Sequence, residues 1–145
     1  MKILVTGATG FLGKYVIDEL LEHNYSIVAF GRNEKIGKAL EGERVQFIKG
    51  DLSSIEELRQ AFQSVDAVVH AGALSSAWGP WKAFYLANVV GTQNVLDLCR
   101  EYAVKRLVYV SSPSIYAAGK DQFNIKESDA PKENHLNNYI RSKLA

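Results

Sequence analysis

The stretch T-G-A-T-G-F-L-G at Thr6–Gly13 decides the fold. It follows a short apolar run, Lys2–Val5, and opens into Phe11–His23, where apolar residues recur at helical spacing. Strand, glycine turn and helix follow one another in the order that a dinucleotide phosphate site requires. Glycines at these intervals also occur in ordinary turns, so the motif alone is compatible with either a phosphate site or a plain turn.

Each glycine of the motif has a distinct use in the phosphate-site interpretation. Gly7 permits a tight turn, Gly10 lets the backbone approach a pyrophosphate, and Gly13 lets the helix pack closely on the strand. Backbone N–H groups at the start of the helix then face the phosphates. The predicted cofactor contacts of this turn are Gly7, Thr9, Gly10, Phe11, Leu12 and Gly13.

Length and composition restrict the class of protein. A chain of 145 residues is one domain, and its apolar share of 47% and charged share of 23% are ordinary for a soluble globular protein. The net charge of +1 predicts a small-molecule substrate and gives no basis for binding nucleic acid or membrane. We expect a cytoplasmic protein, because the chain has no signal-peptide pattern and no apolar run of membrane-spanning length. The histidines are widely spaced and predict no metal site.

The second strand, Ser26–Phe30, ends where the adenosine ribose of a bound dinucleotide would lie. An acidic residue there favours NAD, whereas an arginine favours the 2′-phosphate of NADP. Gly31 supplies no carboxylate and Arg32 follows it at once, so the sequence favours NADP over NAD. The alternative is that Arg32 is a solvated surface residue.

The third strand, Val45–Ile48, is followed by Asp51 and Leu52. The Asp51 carboxylate is placed to accept a hydrogen bond from the adenine amino group, while Leu52 covers one face of the ring. The residues alone leave a second interpretation equally open. Asp51 also suits a turn or N-cap before the predicted helix Ile55–Phe62.

The fourth strand, Val65–His70, leads into the small-residue turn Ala71-Gly72-Ala73, which we predict to border the same cofactor groove. Two indoles follow, Trp78 and Trp81, in a glycine and proline context. They are interpreted equally well as a substrate wall or as a cap on the core.

Trp81–Tyr102 is the longest helical pattern, and Asn88 is the polar member of its apolar face. Asn88 is therefore either a structural hydrogen-bonding group or a group positioned near the cofactor. Cys99, on the same face, is predicted to be a core residue. Lys105–Val110 is the fifth strand. Alternation of strands and helices predicts an α/β fold of the Rossmann type, a doubly wound parallel sheet of order 3-2-1-4-5 with helices on both faces.

The candidate reacting groups follow strand five. A serine cluster begins at Ser111, and the polar loop Ala117–Asn138 then leads to Tyr139 and, four residues on, Lys143. If a helix begins at Tyr139, Lys143 shares its face, and an ammonium beside a tyrosine favours the phenolate form. The tyrosine can then carry the proton while a serine hydroxyl bonds the substrate oxygen.

Taken together, these motifs closely resemble the extended short-chain dehydrogenase/reductase superfamily. This group contains NAD(P)-dependent sugar epimerases, dehydratases and enzymes like 3-beta-hydroxysteroid dehydrogenase. The resemblance covers essentially the whole chain. Its motifs are TGATGFLG, the pair Asp51-Leu52, HAGA at His70–Ala73, NVVGTQN at Asn88–Asn94, VSSPSIY at Val110–Tyr116 and YIRSK at Tyr139–Lys143.

The resemblance implies roles for individual residues. Ser112 would be the catalytic serine, with weaker claims for Ser111 and Ser114. Tyr139 would be the acid/base, and Lys143 would support it and bond the nicotinamide ribose. The full set of implied cofactor contacts adds Arg32, Asp51, Leu52, Ala71, Gly72, Ala73, Asn88, Tyr139 and Lys143 to the glycine turn.

The resemblance also implies a reaction and an assembly. The expected function is NAD(P)-dependent interconversion of an alcohol and a ketone by hydride transfer. The alternatives are a sugar-nucleotide epimerase or dehydratase with transient hydride transfer, and a non-catalytic nucleotide-binding domain. The segment Trp78–Trp81 is more similar to the hydroxysteroid-dehydrogenase-like and keto-acid-reductase branch than to the sugar-nucleotide branch. A homodimer is implied, through helices that flank strands four and five.

Members of the superfamily continue past the Tyr-x-x-x-Lys motif with further strands and most of the substrate pocket. Residues 1–145 therefore correspond to the NAD(P)-binding Rossmann domain without that region. We expect this stretch alone to bind cofactor weakly and to turn over poorly. Strand five is left as an edge of the sheet.

Overall fold

Five strands alternate with helices along the chain, and the computed structural model describes residues 1–145. The strands are β1 (Lys2–Thr6), β2 (Ser26–Gly31), β3 (Val45–Lys49), β4 (Ala67–His70) and β5 (Arg106–Tyr109). The helices are α1 (Phe11–Glu22), α2 (Glu34–Leu40), α3 (Ile55–Arg59), α4 (Trp81–Phe84), α5 (Gly91–Glu101) and α6 (Asn138–Leu144). A π-helical segment, Tyr85–Val90, joins α4 to α5, and short 3₁₀ turns lie at Gln60–Phe62, Pro113–Tyr116 and Glu127–Asp129.

The strands form one parallel sheet in the order β3-β2-β1-β4-β5, which confirms the predicted topology. Thr6, the last residue of β1, is in register with Phe30 of β2 and with His70 of β4. The carboxyl ends of the three central strands therefore meet at one edge of the sheet. The winding reverses between β1 and β4, which is where an open α/β sheet holds its ligand.

Both faces of the sheet are buried, because successive residues of a strand point to opposite sides. On one side Leu4 packs in a cluster with Leu58 and Leu98, which come from α3 and α5. On the other side Ile3 and Val5 pack in a cluster with Ile17 of α1. Helices thus cover both faces, as the sequence predicted.

The predicted helix Trp81–Tyr102 is present over residues 81–101, but its middle is wound as a π-helix. Phe84, Asn88 and Val95 are all buried, so the predicted inner face is confirmed. The π-helical turn itself was not predicted, because its wider winding has no signature in residue spacing. Such turns inside α-helices are frequent at functional sites.

No helix of the structure is long and apolar enough to cross a membrane.

Candidate functional site

A groove of about 590 Å³ runs along the carboxyl edge of the sheet. It is lined by the glycine turn after β1, the turn after β2, Asp51 and Leu52, the turn after β4, and Tyr139 and Lys143. Every residue predicted to contact the cofactor lines this groove except Asn88. Five segments that are distant in sequence are thus brought together, and four of them directly follow strands whose parallel register places their carboxyl ends at one edge.

The glycine turn has the shape that a pyrophosphate needs. Gly7 has φ +71°, a left-handed conformation that favours glycine, and a Cβ there would lie 2.6 Å from the Gly72 Cα. A Cβ on Gly13 would lie 2.3 Å from the Gly7 carbonyl oxygen, so the first turn of helix α1 has room only for glycine at this position. No side chain caps the start of α1 at Gly10, which leaves its first N–H groups free for phosphate oxygens.

The end of the groove beside β2 and β3 contains Arg32 and Asp51. The Arg32 guanidinium lies 3.8 Å from an Asp51 carboxylate oxygen, and both side chains are substantially exposed. The other oxygen of Asp51 accepts hydrogen bonds from the Ser53 N–H at 2.9 Å and the Ser53 hydroxyl at 2.7 Å. Partial burial raises the pKa of the Asp51 carboxyl, but the Ser53 hydrogen bonds and the Arg32 charge outweigh it and lower that pKa overall.

Asp51 therefore combines the two interpretations that its sequence position left open. It stabilises the turn before α3, whose N-cap is Ser54 and not Asp51, and it also lines the groove. Leu52 lies under the turn after β4, where a Cβ on Gly72 would lie 2.7 Å from the Leu52 side chain. The adenine contact of this pair stays a prediction.

Asn88 lies behind the groove in the π-helical segment, and its side chain is 3% exposed. Its carbonyl oxygen Oδ1 accepts from the Leu74 N–H at 2.7 Å. Its amide nitrogen donates to the Leu74 carbonyl at 3.1 Å and to the Ser142 hydroxyl at 2.8 Å. Asn88 thus joins the loop after β4 to helix α6, which is the hydrogen-bonding role that the sequence allowed.

Tyr139 and Lys143 reach the groove from α6, which begins at Asn138 because the Asn137 side chain caps the Ile140 N–H at 2.8 Å. The Lys143 ammonium donates to the Val110 carbonyl at 3.0 Å and to the Tyr109 hydroxyl at 2.5 Å. Burial lowers the pKa of Lys143, and the nearby Tyr139 opposes that effect. The predicted tyrosine and lysine therefore share one end of the groove.

Tyr109 is a site residue that the sequence analysis missed. It occupies the last position of β5, and burial raises the pKa of its phenol. Its ring stacks on His70 at 5.6 Å between centroids. The available signal was its place at the carboxyl end of a strand, two residues before the serine cluster.

The structure separates two of the candidate serines. Ser111 lines the groove, whereas Ser112 is outside the lining. The Ser112 hydroxyl caps the 3₁₀ turn by accepting from the Ser114 N–H at 3.3 Å, and it lies 2.7 Å from the Ser114 hydroxyl. The geometry therefore brings Ser111 to the groove and gives Ser112 a local capping contact.

Neither indole of the loop after β4 lines the groove. Trp78 is 88% exposed, and Trp81 begins α4 with the Arg141 guanidinium 3.9 Å from its ring centroid. The Asn138 amide donates to the Gly79 carbonyl at 2.9 Å. Trp81 and this bond attach the loop to α6, so the loop and the helix that carries Tyr139 form one unit.

A doubly wound parallel sheet with a glycine turn, an uncapped helix start and a groove at the reversal point defines a dinucleotide-binding domain of the Rossmann type. The NAD dependent epimerase/dehydratase family matches residues 3–145. The chain belongs to this family, and the predicted relationship to extended short-chain dehydrogenases/reductases is confirmed.

Relatives within this group include reductases, dehydrogenases and epimerases. The 2-alkyl-3-oxoalkanoate reductase of Shewanella oneidensis is 36% identical over 139 residues, which are 96% of this chain and 35% of that protein. The decarboxylating sterol-4-alpha-carboxylate 3-dehydrogenase of Mus musculus is 32% identical over 143 residues, 99% of this chain and 38% of that protein. The structure of the Thermus thermophilus UDP-glucose 4-epimerase in complex with NAD is similar with a TM-score of 0.85, 26% identity, and coverage of 99% of this chain and 48% of that one. The chain thus spans between about a third and a half of the length of these relatives.

Proposed function

We propose that the chain binds a nicotinamide dinucleotide and takes part in interconverting an alcohol and a ketone. The observation that carries this proposal is that one groove joins the glycine turn to Tyr139 and Lys143. The glycine turn and the free N–H groups of α1 would hold the pyrophosphate, and Lys143 would bond the nicotinamide ribose. Such a cofactor, when bound, supplies or accepts the hydride.

A tyrosine, a lysine and a serine then carry out the proton transfer and stabilise the substrate oxygen. Tyr139 gives a proton to the substrate oxygen in reduction and removes it in oxidation. The Lys143 ammonium, held by the Tyr109 hydroxyl and the Val110 carbonyl, favours the phenolate form of the neighbouring tyrosine. A serine hydroxyl donates a hydrogen bond to the substrate oxygen.

The identity of that serine is open to a direct test. The family resemblance favours Ser112, whereas the groove lining favours Ser111. The two alanine variants should differ: loss of the substrate-bonding hydroxyl lowers kcat by about 10²- to 10³-fold. The other variant should change kcat much less. Equal effects of both substitutions would contradict a role for one serine.

We propose a β-oxo acid as the substrate class. The name of the Shewanella relative places the reacting oxygen on carbon three of an alkanoate. The name of the mouse relative places oxidation at carbon three of a sterol beside a carboxylate on carbon four. In both, the reacting carbon is β to the carboxyl carbon. A panel of a 2-alkyl-3-oxo acid, its methyl ester and the parent ketone tests this class, and preference for the ketone would overturn it.

NADP is the proposed cofactor, on the basis of Gly31 and Arg32. A Cβ at Gly31 would lie 2.6 Å from the Thr9 hydroxyl, so the carboxylate that favours NAD would fit here only if the Thr9 side chain moved. The exposed Arg32 guanidinium lines the groove beside it. Arg32→Ala should weaken NADPH binding about 10- to 100-fold and leave NADH binding unchanged. Arg44→Ala, whose guanidinium bonds Asn24 away from the groove, is the matched control.

Loss of absorbance from reduced nicotinamide tests the reaction. With protein in excess of NADPH, a ketone substrate should oxidise the cofactor stoichiometrically, and Tyr139→Phe should slow that step by about 10²- to 10⁴-fold. Tyr25→Phe, directly before β2 at the opposite edge of the sheet, is the control. Full activity of Tyr139→Phe would refute the assignment.

A sugar-nucleotide epimerase is the second candidate, favoured by the structural similarity to the Thermus UDP-glucose 4-epimerase. An epimerase regenerates its cofactor, so it changes the sugar without net loss of reduced nicotinamide. Conversion of a UDP-hexose with constant absorbance would support this candidate over the reductase.

A further inference from the structure

His70 is a buried histidine that the proposed reaction does not use. It ends β4, is 1% exposed, and lies between two threonine hydroxyls. Its Nδ1 is 2.6 Å from the Thr6 hydroxyl oxygen, and its Nε2 is 3.0 Å from the Thr92 hydroxyl oxygen. Each threonine has a further partner, and these partners determine which ring nitrogen carries the proton.

The contacts of Thr92 determine whether the His70 Nε2 carries a hydrogen. The Thr92 hydroxyl lies 2.6 Å from the Asn88 main-chain carbonyl, which can only accept, so the single Thr92 proton lies in that contact. The Thr92 oxygen must therefore accept from His70, and Nε2 must carry a hydrogen. A neutral imidazole has one N–H, which leaves Nδ1 as an acceptor.

The Thr6 side agrees with this assignment. The Thr6 hydroxyl donates to the His70 Nδ1, and its oxygen accepts from the Gly72 N–H at 3.2 Å. A proton on Nδ1 would leave the Thr6 hydroxyl hydrogen facing two donors inside the protein. Burial and the positive charge of Lys143 lower the pKa of His70 to about 4, which opposes a doubly protonated ring. Lys143 and the stacked Tyr109 are the titratable groups that face the ring.

A second set of hydrogen bonds, made by the Asn88 side chain, leads to helix α6. The Asn88 side chain accepts from the Leu74 N–H, so its amide nitrogen is the atom that donates to the Ser142 hydroxyl at 2.8 Å. The Ser142 hydroxyl in turn donates to the Tyr139 carbonyl at 2.7 Å. No buried side-chain nitrogen or oxygen lacks a partner. The direction of each link follows from the main-chain groups at its ends, because an N–H can only donate and a carbonyl can only accept.

We infer that His70 is a positioning residue, held as the Nε2–H tautomer, that fixes the Gly72 turn to the π-helical segment through Thr6 and Thr92. Its relevance to the cofactor rests on the proposed function, because Gly72 borders the groove and Asn88 holds α6. Reversing a link would set two buried donors or two buried acceptors against each other, and an unmet buried polar group is costly. This series of hydrogen bonds therefore holds both sides of the groove in one arrangement.

Nitrogen NMR of the histidine rings tests the tautomer directly, without cofactor and without a mutation. The expected spectrum of His70 has a protonated Nε2 and an unprotonated Nδ1, and it stays unchanged when the pH is lowered from about 7 to about 5.5. The exposed His23 and His135 are references in the same sample. A proton on Nδ1, or an imidazolium at neutral pH, would overturn the assignment.

Variants at Thr92 test whether a change there reaches Gly72 through the hydrogen bonds of His70 and Thr6. Thr92→Val keeps the side-chain shape but removes the acceptor for Nε2–H, so the Nδ1–H tautomer should become populated. The Gly72 amide resonance should then shift, although three hydrogen bonds separate it from Thr92. Thr92→Ser keeps the hydroxyl and should restore both signals. An unchanged tautomer in Thr92→Val would refute the inference.

Cofactor titration separates this inference from the proposed function. Thr92→Val should bind NADPH roughly fivefold more weakly than the wild type and than Thr92→Ser, which corresponds to a net hydrogen bond of about 1 kcal/mol. Equal NADPH affinities would refute the positioning role. If the wild type shows the expected tautomer but binds no dinucleotide, the proposed function fails while the tautomer assignment holds.

Discussion

Replacing Gly31 by aspartate should produce an NAD-preferring groove only if Thr9 is shortened at the same time. A Cβ at Gly31 would lie 2.6 Å from the Thr9 hydroxyl oxygen and 3.0 Å from its methyl carbon. In Thr9→Ala both of those atoms are gone, and the remaining Thr9 Cβ position lies 3.3 Å away. A shift of a few tenths of an ångström relieves that contact, so the double variant fits where Gly31→Asp alone does not.

The expected changes in stability and in NADH affinity follow from the contact with Thr9 and from the proposed hydrogen bond to the ribose. Forcing extra atoms into a packed site costs about 1 to 3 kcal/mol, so Gly31→Asp alone should lower the free energy of unfolding by about 2 kcal/mol. The loss in the double variant should be smaller than the sum of the two single losses, with a coupling of about 1 to 2 kcal/mol. A carboxylate that accepts from the ribose 2′-hydroxyl contributes about 1.5 to 3 kcal/mol, or roughly 10- to 100-fold tighter NADH binding.

The assay is a double-mutant cycle with two measurements. Urea unfolding of the wild type, both single variants and the double variant gives the coupling free energy. Fluorescence titration with NADH and NADPH gives the cofactor preference. Gly42→Asp is the control for the added charge, because no atom lies within 4 Å of a Cβ at Gly42.

Two outcomes would contradict the reasoning. If Gly31→Asp alone is as stable as the wild type, Thr9 does not exclude a side chain at that position. If the double variant is stable but gains no affinity for NADH, residue 31 does not lie at the ribose.

Three other perturbations have expected outcomes. Gly13→Ala should lower the free energy of unfolding by about 2 kcal/mol, because its Cβ would lie 2.3 Å from a carbonyl oxygen of the glycine turn, and Gly42→Ala should not; equal urea midpoints would contradict this. Because burial and Lys143 lower the pKa of His70 from 6.5 to about 4, unfolding should become easier as the pH falls through that window, by about 3 kcal/mol in total. A flat stability profile there would count against the buried neutral ring. Tyr109→Phe removes the hydroxyl that accepts from Lys143 at 2.5 Å and should cost about 1 kcal/mol, so an unchanged Tm would show that this bond contributes little.

The backbone features of the site were accessible from the sequence. Gly7 and Gly13 are required by steric contacts that involve the local chain, and the residue pattern of TGATGFLG reports those contacts directly. The alternation of apolar strands and helices likewise predicted the sheet order, because parallel crossovers have one allowed hand. These predictions depend on short-range geometry, which residue types encode.

Side-chain contacts between different elements were harder to predict from the sequence. The sequence left two interpretations of Asp51 open. The structure shows that one carboxylate oxygen accepts hydrogen bonds from Ser53, while the other lies near the Arg32 guanidinium. The family resemblance pointed to Ser112, while the structure lines the groove with Ser111. A serine that follows a strand shows no sign in sequence of whether its hydroxyl caps a turn or faces a groove.

The sequence by itself determined the fold, the glycine turn and the pairing of Tyr139 with Lys143 on one helix, because these depend on periodicity and on steric limits at a few glycines. Only the tertiary structure decided that Thr9 fills the space beside Gly31, that Tyr109 holds Lys143, and that His70 is bonded on both sides. Each of these contacts joins residues from different elements. Their energies depend on distances of a few ångströms and on the direction of each donor, and those quantities exist only after the strands and helices have packed.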